Sequence, residues 1–248
     1  MAGRIEIYLD VVSFYSYVAF KQLLKTRPIL EAHGVEVDIK PVFLGAINAG
    51  SGNKPPWTLP AKAVYGGFDF NRTKKAVGIP EVSAPEDLMA VARTILSLRA
   101  LHYIKASYPL DAYLTTWHYF FHLFWGPTKR NLTEASELAA ALGKVPVGFS
   151  GPGSEGDGKP LFTSQDVESI IKAAGEAKWK EGLKNAVDEA LERGAFGAPW
   201  LWVTNSKGKS EPFFGSDRWH YVYEFLELPY QEVTLLAPGD QSTGKAKL

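Results

Sequence analysis

The feature that most constrains this chain is a serine-containing segment between an apolar strand and a helix. Residues 5–9 alternate like a half-buried strand, and apolar residues recur at helical spacing over residues 15–30 until Pro28 disrupts the pattern. Between them lies Asp10-Val-Val-Ser13-Phe-Tyr-Ser16. The strand therefore delivers the Ser13 hydroxyl to a helix N-terminus, where free N–H groups and the helix dipole favour an anion.

Two interpretations of Ser13 are open at this point. Serine is a common N-cap residue, and capping alone explains many serines at such junctions. A helix N-terminus also stabilises a thiolate. The chain contains no cysteine, so a thiolate held at Ser13 has to come from a small-molecule ligand. The lack of cysteine also excludes disulfides, thiolate metal sites and disulfide exchange by the chain's own thiols.

Charge and terminal sequences limit the partners and the location. The 27 basic and 27 acidic residues cancel, which argues against nucleic acid or an anionic membrane as the main partner. Because the N-terminus lacks a secretory signal and no apolar run approaches the ~18 residues of a membrane span, we expect an intracellular protein. The C-terminal Ala246-Lys247-Leu248 is a near variant of the peroxisomal import tripeptide. We expect a peroxisomal location if the source is eukaryotic, and otherwise a cytoplasmic or mitochondrial one.

The order of elements predicts an α/β fold. A second alternating segment at 35–44 completes a parallel βαβ unit, and the glycines and prolines of 45–60 predict irregular structure. Two short strands at 199–204 and 212–214, joined by a turn, precede a final helix at 218–226 capped by Ser216-Asp217. Between these halves the periodicity predicts helices at 85–107, 111–125, 133–142, 164–174 and 177–193.

This order is that of a thioredoxin-like fold with an all-helical domain inserted between the βαβ and ββα halves. We predict that residues 1–48 and 194–230 form the thioredoxin-like domain, that 49–193 form the helical domain, and that 231–248 form a flexible tail. The segment 147–158 is a glycine-rich loop. Its GxGxxG match neither follows a strand nor opens a helix, so we reject a dinucleotide site there.

Two places in the second half carry candidate binding groups. Thioredoxin-type folds carry a cis proline where Ala198-Pro199 stands, and a cis bond would let the backbone of Ala198 pair with an extended ligand. The alternative is a proline that simply opens an edge strand. Ser216 and Asp217 stand at a second strand-to-helix junction, suited to the carboxylate and ammonium groups of an α-amino acid. The alternative there is a plain helix cap.

Taken together, these residues resemble the kappa class of glutathione transferases, which is related to the 2-hydroxychromene-2-carboxylate isomerases and to the DsbA family. The resemblance covers nearly the whole chain and rests on the Asp-Val-x-Ser-x-Tyr-Ser start, Ser-Gly-Asn-Lys-Pro-Pro, Ala-Pro and Phe-Gly-Ser-Asp-Arg. It implies that Ser13 hydrogen-bonds the glutathione thiol as the catalytic residue. It implies that the substrate-binding residues are Asn53, Lys62, Ala198, Pro199, Ser216 and Asp217.

The resemblance also implies the reaction class, with alternatives. The first expectation is a homodimeric glutathione transferase, which activates glutathione for attack on a small apolar electrophile or a peroxide beside the helical domain, without a metal. The second is a glutathione-dependent 2-hydroxychromene-2-carboxylate isomerase. The third is a non-catalytic module that binds glutathione or a peptide. Two departures concern the site's surroundings: Phe14 replaces the usual proline, and 147–158 is an added loop.

A metal site is the remaining candidate. His118 and His122 lie one helical turn apart, but no carboxylate of the HExxH kind accompanies them. We therefore expect an aromatic helix face rather than a metal site at this position.

Overall fold

The computed structural model describes residues 3–151, 153–154 and 158–231. The rest of the predicted tail, with its C-terminal tripeptide, lies outside these ranges, as do residues 152 and 155–157 of the glycine-rich loop. The elements in chain order are β1 (Gly3–Leu9), α1 (Phe14–Ala32), β2 (Val35–Pro41), α2 (Leu44–Ser51), α3 (Pro60–Ala76), α4 (Ile95–Ser107), α5 (Leu110–Trp125), α6 (Ala135–Leu142), α7 (Ser164–Gly175), α8 (Ala177–Glu192), β3 (Trp200–Asn205), β4 (Ser210–Phe214) and α9 (Trp219–Phe225).

One mixed sheet organises these elements, in the strand order β2-β1-β3-β4. β1 pairs with β2 in parallel, whereas β1 with β3 and β3 with β4 pair antiparallel. In the centre, Ile7 lies opposite both Ile39 and Leu201. The parallel βαβ unit, the terminal hairpin and the thioredoxin-like α/β fold are therefore confirmed.

Alternation along the strands gives the sheet two buried faces. Ile5, Ile7 and Leu9 belong to the main core, together with residues of α1, α4, α5, α6 and α7. Tyr8 and Trp200 point to the other face, where α2 and α8 cover them. Both faces of the sheet are thus covered by helices, and the carboxyl end of β1 emerges at Asp10 between these layers.

The first helix and the segment after β2 differ from the prediction. Pro28 lies inside α1, which continues to Ala32, because burial of its apolar face outweighs the single lost backbone hydrogen bond. Residues 45–60 are not irregular throughout, since they contain α2 and a short 3-10 turn. Ile47 is fully buried, and a Cβ on Gly50 would lie 2.5 Å from Leu191 of α8. Close packing on α8 therefore stabilises α2 despite its glycines.

Other boundaries also had to be corrected. α3 was not predicted; none of its side chains is fully buried, so no apolar stripe marks it in the sequence. The helix predicted from residue 85 begins only at Ile95, and the other inserted helices lie within a few residues of their predicted bounds. Helices α2 to α8 all fall between β2 and β3 in sequence, while the division into two domains stays a prediction. No helix of the described residues is long and apolar enough to cross a membrane.

Candidate functional site

Ser13 lies at the N-terminus of α1 and forms the centre of the candidate site. Its backbone is extended, and its Oγ accepts a hydrogen bond from the N–H of Ser16 at 3.1 Å. The same hydroxyl donates to the carbonyl oxygen of Ala198 at 2.8 Å, and Ser13 is only 7% exposed. The N-cap role is therefore confirmed. The Ser13 hydroxyl also makes the second contact, in which its proton points to the carbonyl oxygen of Ala198.

The turn that carries Ser13 is held from two sides. Its own N–H donates to the carbonyl of Asp10 at 3.1 Å, and the indole Nε1 of Trp125 donates to the carbonyl of Val11 at 2.9 Å. Phe14, at the position of the family's proline, is buried and packs against Phe70 of α3, with ring centroids 4.1 Å apart. Phe14 thus helps to attach α3 beside the site.

The bond between Ala198 and Pro199 is cis, and both residues are buried. The carbonyl of Pro199 accepts a hydrogen bond from Gly215 at 3.2 Å. This bond brings the end of β4 beside the proline, so that the buried Ser216 follows directly. The structure therefore brings the Ser13 junction and the junction after β4 to the same edge of the sheet.

The predicted cap of the last helix is wrong. The N-cap of α9 is Arg218, and neither Ser216 nor Asp217 makes a side-chain capping bond. Asp217 is exposed and pairs with the guanidinium of Arg218. Helix capping therefore does not explain the presence of Ser216 and Asp217 at this junction.

Asn53 and Lys62 lie on the segment between α2 and α3, and both are exposed. The amide Nδ2 of Asn53 donates to the carbonyl of Phe196 at 2.6 Å, two residues before Ala198. Lys62 makes no ion pair among the described residues. It lies seven residues before Asp69 on α3, so both side chains leave nearly the same face of that helix.

The sequence analysis included Tyr15 in the segment around Ser13 but did not predict a role for it in the site. Its hydroxyl donates to the carboxylate of Asp69. Burial raises the pKa of the Tyr15 phenol above its usual value, and the negative charges of Asp69 and Asp217 add to this effect. The bond to Asp69 brings α3 to the start of α1, and the Asp217 charge acts on the same phenol. Asp69 had no local sequence signal, because it lies 54 residues from Tyr15.

Two exposed aromatic rings border the site and were also missed. Phe196 and Phe214 are each 42% exposed, and their ring centroids lie 4.5 Å apart. Gly197 permits this arrangement, since a Cβ there would lie 2.8 Å from the Phe214 ring. The rings form an apolar surface next to Ala198 and Asn53.

His118 and His122 lie among aromatic rings, and both pack against Phe149. His118 is 1% exposed, and its Nε2 lies 3.4 Å from the Nζ of Lys21. Burial lowers the pKa of His118 to about 3, and the positive charge of Lys21 contributes. Among the described residues no three His, Asp or Glu side chains are grouped to hold a metal ion.

The arrangement suits a thiol ligand that has its own amide group. The Ser13 hydroxyl can turn from the Ala198 carbonyl to a ligand sulfur, and a ligand N–H can then bond to that carbonyl. In the described residues, no hydrogen bond is made by the N–H groups of Phe14 and Tyr15. Together with the helix dipole, they offer positive potential beside the sulfur.

Comparisons with known proteins agree with this architecture. The sequence profile described as DSBA-like thioredoxin domain matches residues 4–148. Glutathione S-transferase kappa 1 of Caenorhabditis elegans is 28% identical over 228 residues, which cover 91% of this chain and 92% of that protein. Glutathione S-transferase kappa 1 of Homo sapiens is 26% identical over 232 residues, which cover 90% of each.

Solved structures share the fold at lower identity. A 2-hydroxychromene-2-carboxylate isomerase superposes with a TM-score of 0.67 at 18% identity and covers 90% of this chain and 94% of its own. A probable DsbA oxidoreductase from Streptomyces coelicolor superposes with a TM-score of 0.60 at 15% identity and covers 96% and 97%. At these identities the likeness concerns the fold alone.

Proposed function

This chain belongs to the family of DSBA-like thioredoxin domains, and we propose that it is a glutathione transferase of kappa type. The observation that carries the proposal is the 2.8 Å bond between the Ser13 hydroxyl and the carbonyl of Ala198, which brings a proton donor and a peptide acceptor to one helix N-terminus. The similarity to the kappa proteins over about nine tenths of the chain supports the same ligand. Since the chain lacks cysteine, the reacting thiol is that of glutathione.

Each proposed binding residue has a distinct role. The backbone of Ala198, before Pro199, pairs with the cysteinyl unit of glutathione in the manner of an added strand. Ser216 and Asp217 receive the γ-glutamyl end, where the Asp217 carboxylate pairs with the ammonium group. Asn53 and Lys62 bind the rest of the tripeptide, with the Lys62 ammonium facing a carboxylate.

Ser13 activates the thiol by stabilising its anion. A free thiol has a pKa of about 8.5, and lowering it by two units takes about 2.7 kcal/mol of preferential thiolate binding. A hydrogen bond from Ser13 to charged sulfur supplies about 1.5–3 kcal/mol, and the helix dipole adds about 0.3–1 kcal/mol. The bond that Ser13 gives up at Ala198 is replaced by the ligand's N–H.

The thiolate then has two uses in a transferase. With an electrophilic carbon, a C–S bond forms while the bond to the leaving group breaks, and the leaving group departs as an anion. With a peroxide, the sulfur takes one oxygen as the O–O bond breaks, and a second glutathione completes a disulfide, releasing an alcohol and water. We place the apolar acceptor beside α3 and the ring pair of Phe196 and Phe214, which are exposed next to the site.

A second candidate is a glutathione-dependent 2-hydroxychromene-2-carboxylate isomerase, because an isomerase of that name has the same fold. Here the thiolate adds to a conjugated double bond, a single bond rotates, and the thiolate leaves again. Phe214 before Gly215-Ser216-Asp217 favours the transferase, since the isomerases tend to have tryptophan there. Steady-state assays with chromene carboxylates and with aromatic electrophiles separate the two reactions.

The central test follows the ultraviolet absorbance of the glutathione thiolate against pH in the wild type, Ser13→Ala and Ser13→Thr. We expect a lowered thiol pKa in the wild type and in Ser13→Thr, which retains a hydroxyl, and an ordinary pKa in Ser13→Ala. Binding with an unshifted thiol in the wild type would support the non-catalytic binding module instead. No binding at all would refute the proposal.

We also propose a homodimer and, if the source is eukaryotic, a peroxisomal location. α3 exposes Val64, Tyr65 and Phe68 by 60% or more, which is an apolar surface suited to a second copy. Sedimentation velocity of the wild type and Phe68→Glu tests the dimer. Deletion of the last three residues, followed by fluorescence localisation, tests the import tripeptide.

A further inference from the structure

Asp10 is a fully buried carboxylate in the segment that leads to Ser13. Its Oδ1 accepts hydrogen bonds from the Thr94 hydroxyl at 2.6 Å and from the N–H of Val12 at 3.2 Å. Its Oδ2 accepts the N–H of Leu44, the first residue of α2, at 2.7 Å. The side chain thus joins three parts of the fold: the turn before α1, the start of α2 and the start of α4.

All of these partners are donors when Asp10 carries a charge. The N–H groups of Val12 and Leu44 can donate hydrogen bonds but cannot accept them. A proton on either carboxyl oxygen of Asp10 therefore places an O–H donor opposite an N–H donor. An asparagine meets the same conflict, because its NH₂ group has to face one of these two N–H groups. The two N–H donors therefore favour a carboxylate over an amide, while a protonated acid keeps its partners only if the Thr94 hydroxyl turns to accept the proton.

The two ends of this linkage lead to residues of the candidate site. The backbone carbonyl of Asp10 holds the N–H of Ser13 at 3.1 Å. α2, held at Leu44 by the Asp10 carboxylate, ends at Ser51, and Gly52 in the left-handed conformation (φ 74°) turns the chain into Asn53. Asp10 is therefore bonded to the Ser13 turn and, through one short helix, positions Asn53.

We propose that Asp10 is a positioning residue that sets the spacing between Ser13 and Asn53, so that glutathione binding weakens when this carboxyl takes up a proton. The inference rests on the proposed function and deepens it, because it gives the same site a dependence on pH. Burial raises the pKa of Asp10 to about 6 against the opposing effect of its donors, which brings the change close to neutral pH.

Titration of the side chains near Asp10 does not account for a loss of glutathione binding close to neutral pH. α2 carries no titratable side chain. The surrounding elements carry other titratable side chains, among them Tyr15, Tyr17, Lys40, Arg99, His102, His118 and His122, but no charged side chain is a cause of the raised pKa of Asp10. Burial lowers the pKa of His102 to about 4, so this histidine stays neutral above pH 5. Burial also lowers the pKa of His122. Because Thr94 donates its hydrogen bond to Asp10 and not to either histidine, a change at Thr94 tests Asp10 and not the histidines.

The test is calorimetric binding of S-methylglutathione between pH 5 and 8, since this probe has no thiol to ionise. We expect the wild-type affinity to fall about tenfold from pH 7 to pH 5, following the ionised fraction of a group with a pKa near 6. Thr94→Val removes one donor to the carboxylate, and we expect the fall to begin about one pH unit higher.

Two further variants complete the test. Thr116→Val is the matched control, because this buried threonine bonds, within the described part of the chain, only to the carbonyl of Ala112 on its own helix. We expect its pH dependence to follow the wild type. Asp10→Asn is expected to bind weakly at every pH without an acidic decline, as far as it folds. The Thr94 and Thr116 pair decides the matter if it does not.

The outcomes separate the two proposals. Binding that declines at acidic pH and shifts only with Thr94→Val supports the role of Asp10. Binding with no decline, or a decline that Thr94→Val leaves in place, overturns this role while the proposed function stands. No binding of S-methylglutathione at any pH overturns both.

Discussion

The burial of His118 predicts a specific loss of stability in acid. Its ring is 1% exposed and packs against Phe20 and Phe149, with ring centroids 5.8 Å and 5.2 Å away. Because burial and the charge of Lys21 lower its pKa to about 3, His118 is neutral in the folded protein down to well below pH 5. In the unfolded chain the same group protonates near its ordinary value of 6.5.

The sign follows from proton linkage. The folded-state pKa lies below the unfolded one, so the stability that His118 contributes is complete above pH 6.5 and is lost as the pH falls toward 3. At pH 5, which lies about 1.5 units below the unfolded-state pKa, His118 is protonated in the unfolded chain and neutral in the folded protein. This difference lowers the stability by about 2 kcal/mol relative to pH 7. This figure needs only a folded-state pKa that lies well below 5.

The assay is urea unfolding followed by tryptophan fluorescence at pH 7 and pH 5. We expect His118→Gln, which cannot protonate, to lose about 2 kcal/mol less than the wild type between these values. Asp10 and His102 contribute equally to both proteins and cancel in the difference. His33→Gln, at an exposed position, is the control. Equal losses in the wild type and His118→Gln would refute the argument.

Three further predictions concern the site. Ser13→Ala removes an N-cap and leaves the Ala198 carbonyl without its donor, so we expect about 2 kcal/mol of lost stability in the same unfolding assay at pH 7, and none beyond a few tenths in Ser13→Thr. Trp125→Phe leaves the Val11 carbonyl unpaired, and we expect about 1–3 kcal/mol of lost stability together with a higher KM for glutathione. Lys62→Gln should weaken glutathione binding and flatten its dependence on salt in calorimetric titrations, because an exposed ionic contact is screened. A salt dependence equal to that of the wild type would exclude Lys62 from the site.

Much of the fold could be predicted because the relevant signals are local. Alternation predicted β1 and β2, and the turn residues from Asn205 predicted the hairpin, in which Gly208 has a left-handed φ of 75°. α5, α7 and α8 carry apolar faces at helical spacing, and their bounds were close. α3 could not be predicted from periodicity, because Val64, Tyr65 and Phe68 on this helix are exposed. It is attached to the fold by the contact between Phe70 and Phe14, two residues that are far apart in the sequence.

The candidate site also combines residues that are neighbours in the sequence with residues that only the fold brings together. The residues of the Ser13 turn are adjacent in sequence, so a hydroxyl at a helix N-terminus could be predicted from strand and helix periodicity alone. The partner of that hydroxyl, Ala198, lies 185 residues away. The Asp69 carboxylate, which accepts from the Tyr15 hydroxyl, likewise lies 54 residues away in the sequence.

The sequence alone therefore determined the order of strands and helices, the serine at the junction and the absence of a thiol of the chain's own. Only the tertiary structure decided that the Ser13 proton is directed to Ala198 and that Asp10 bonds to α2 and α4. It also decided that the last helix begins without Ser216 or Asp217 as its cap. The physical reason is that periodicity and capping arise between near neighbours in the chain. The hydrogen bonds of a buried polar group depend on whichever elements pack around it.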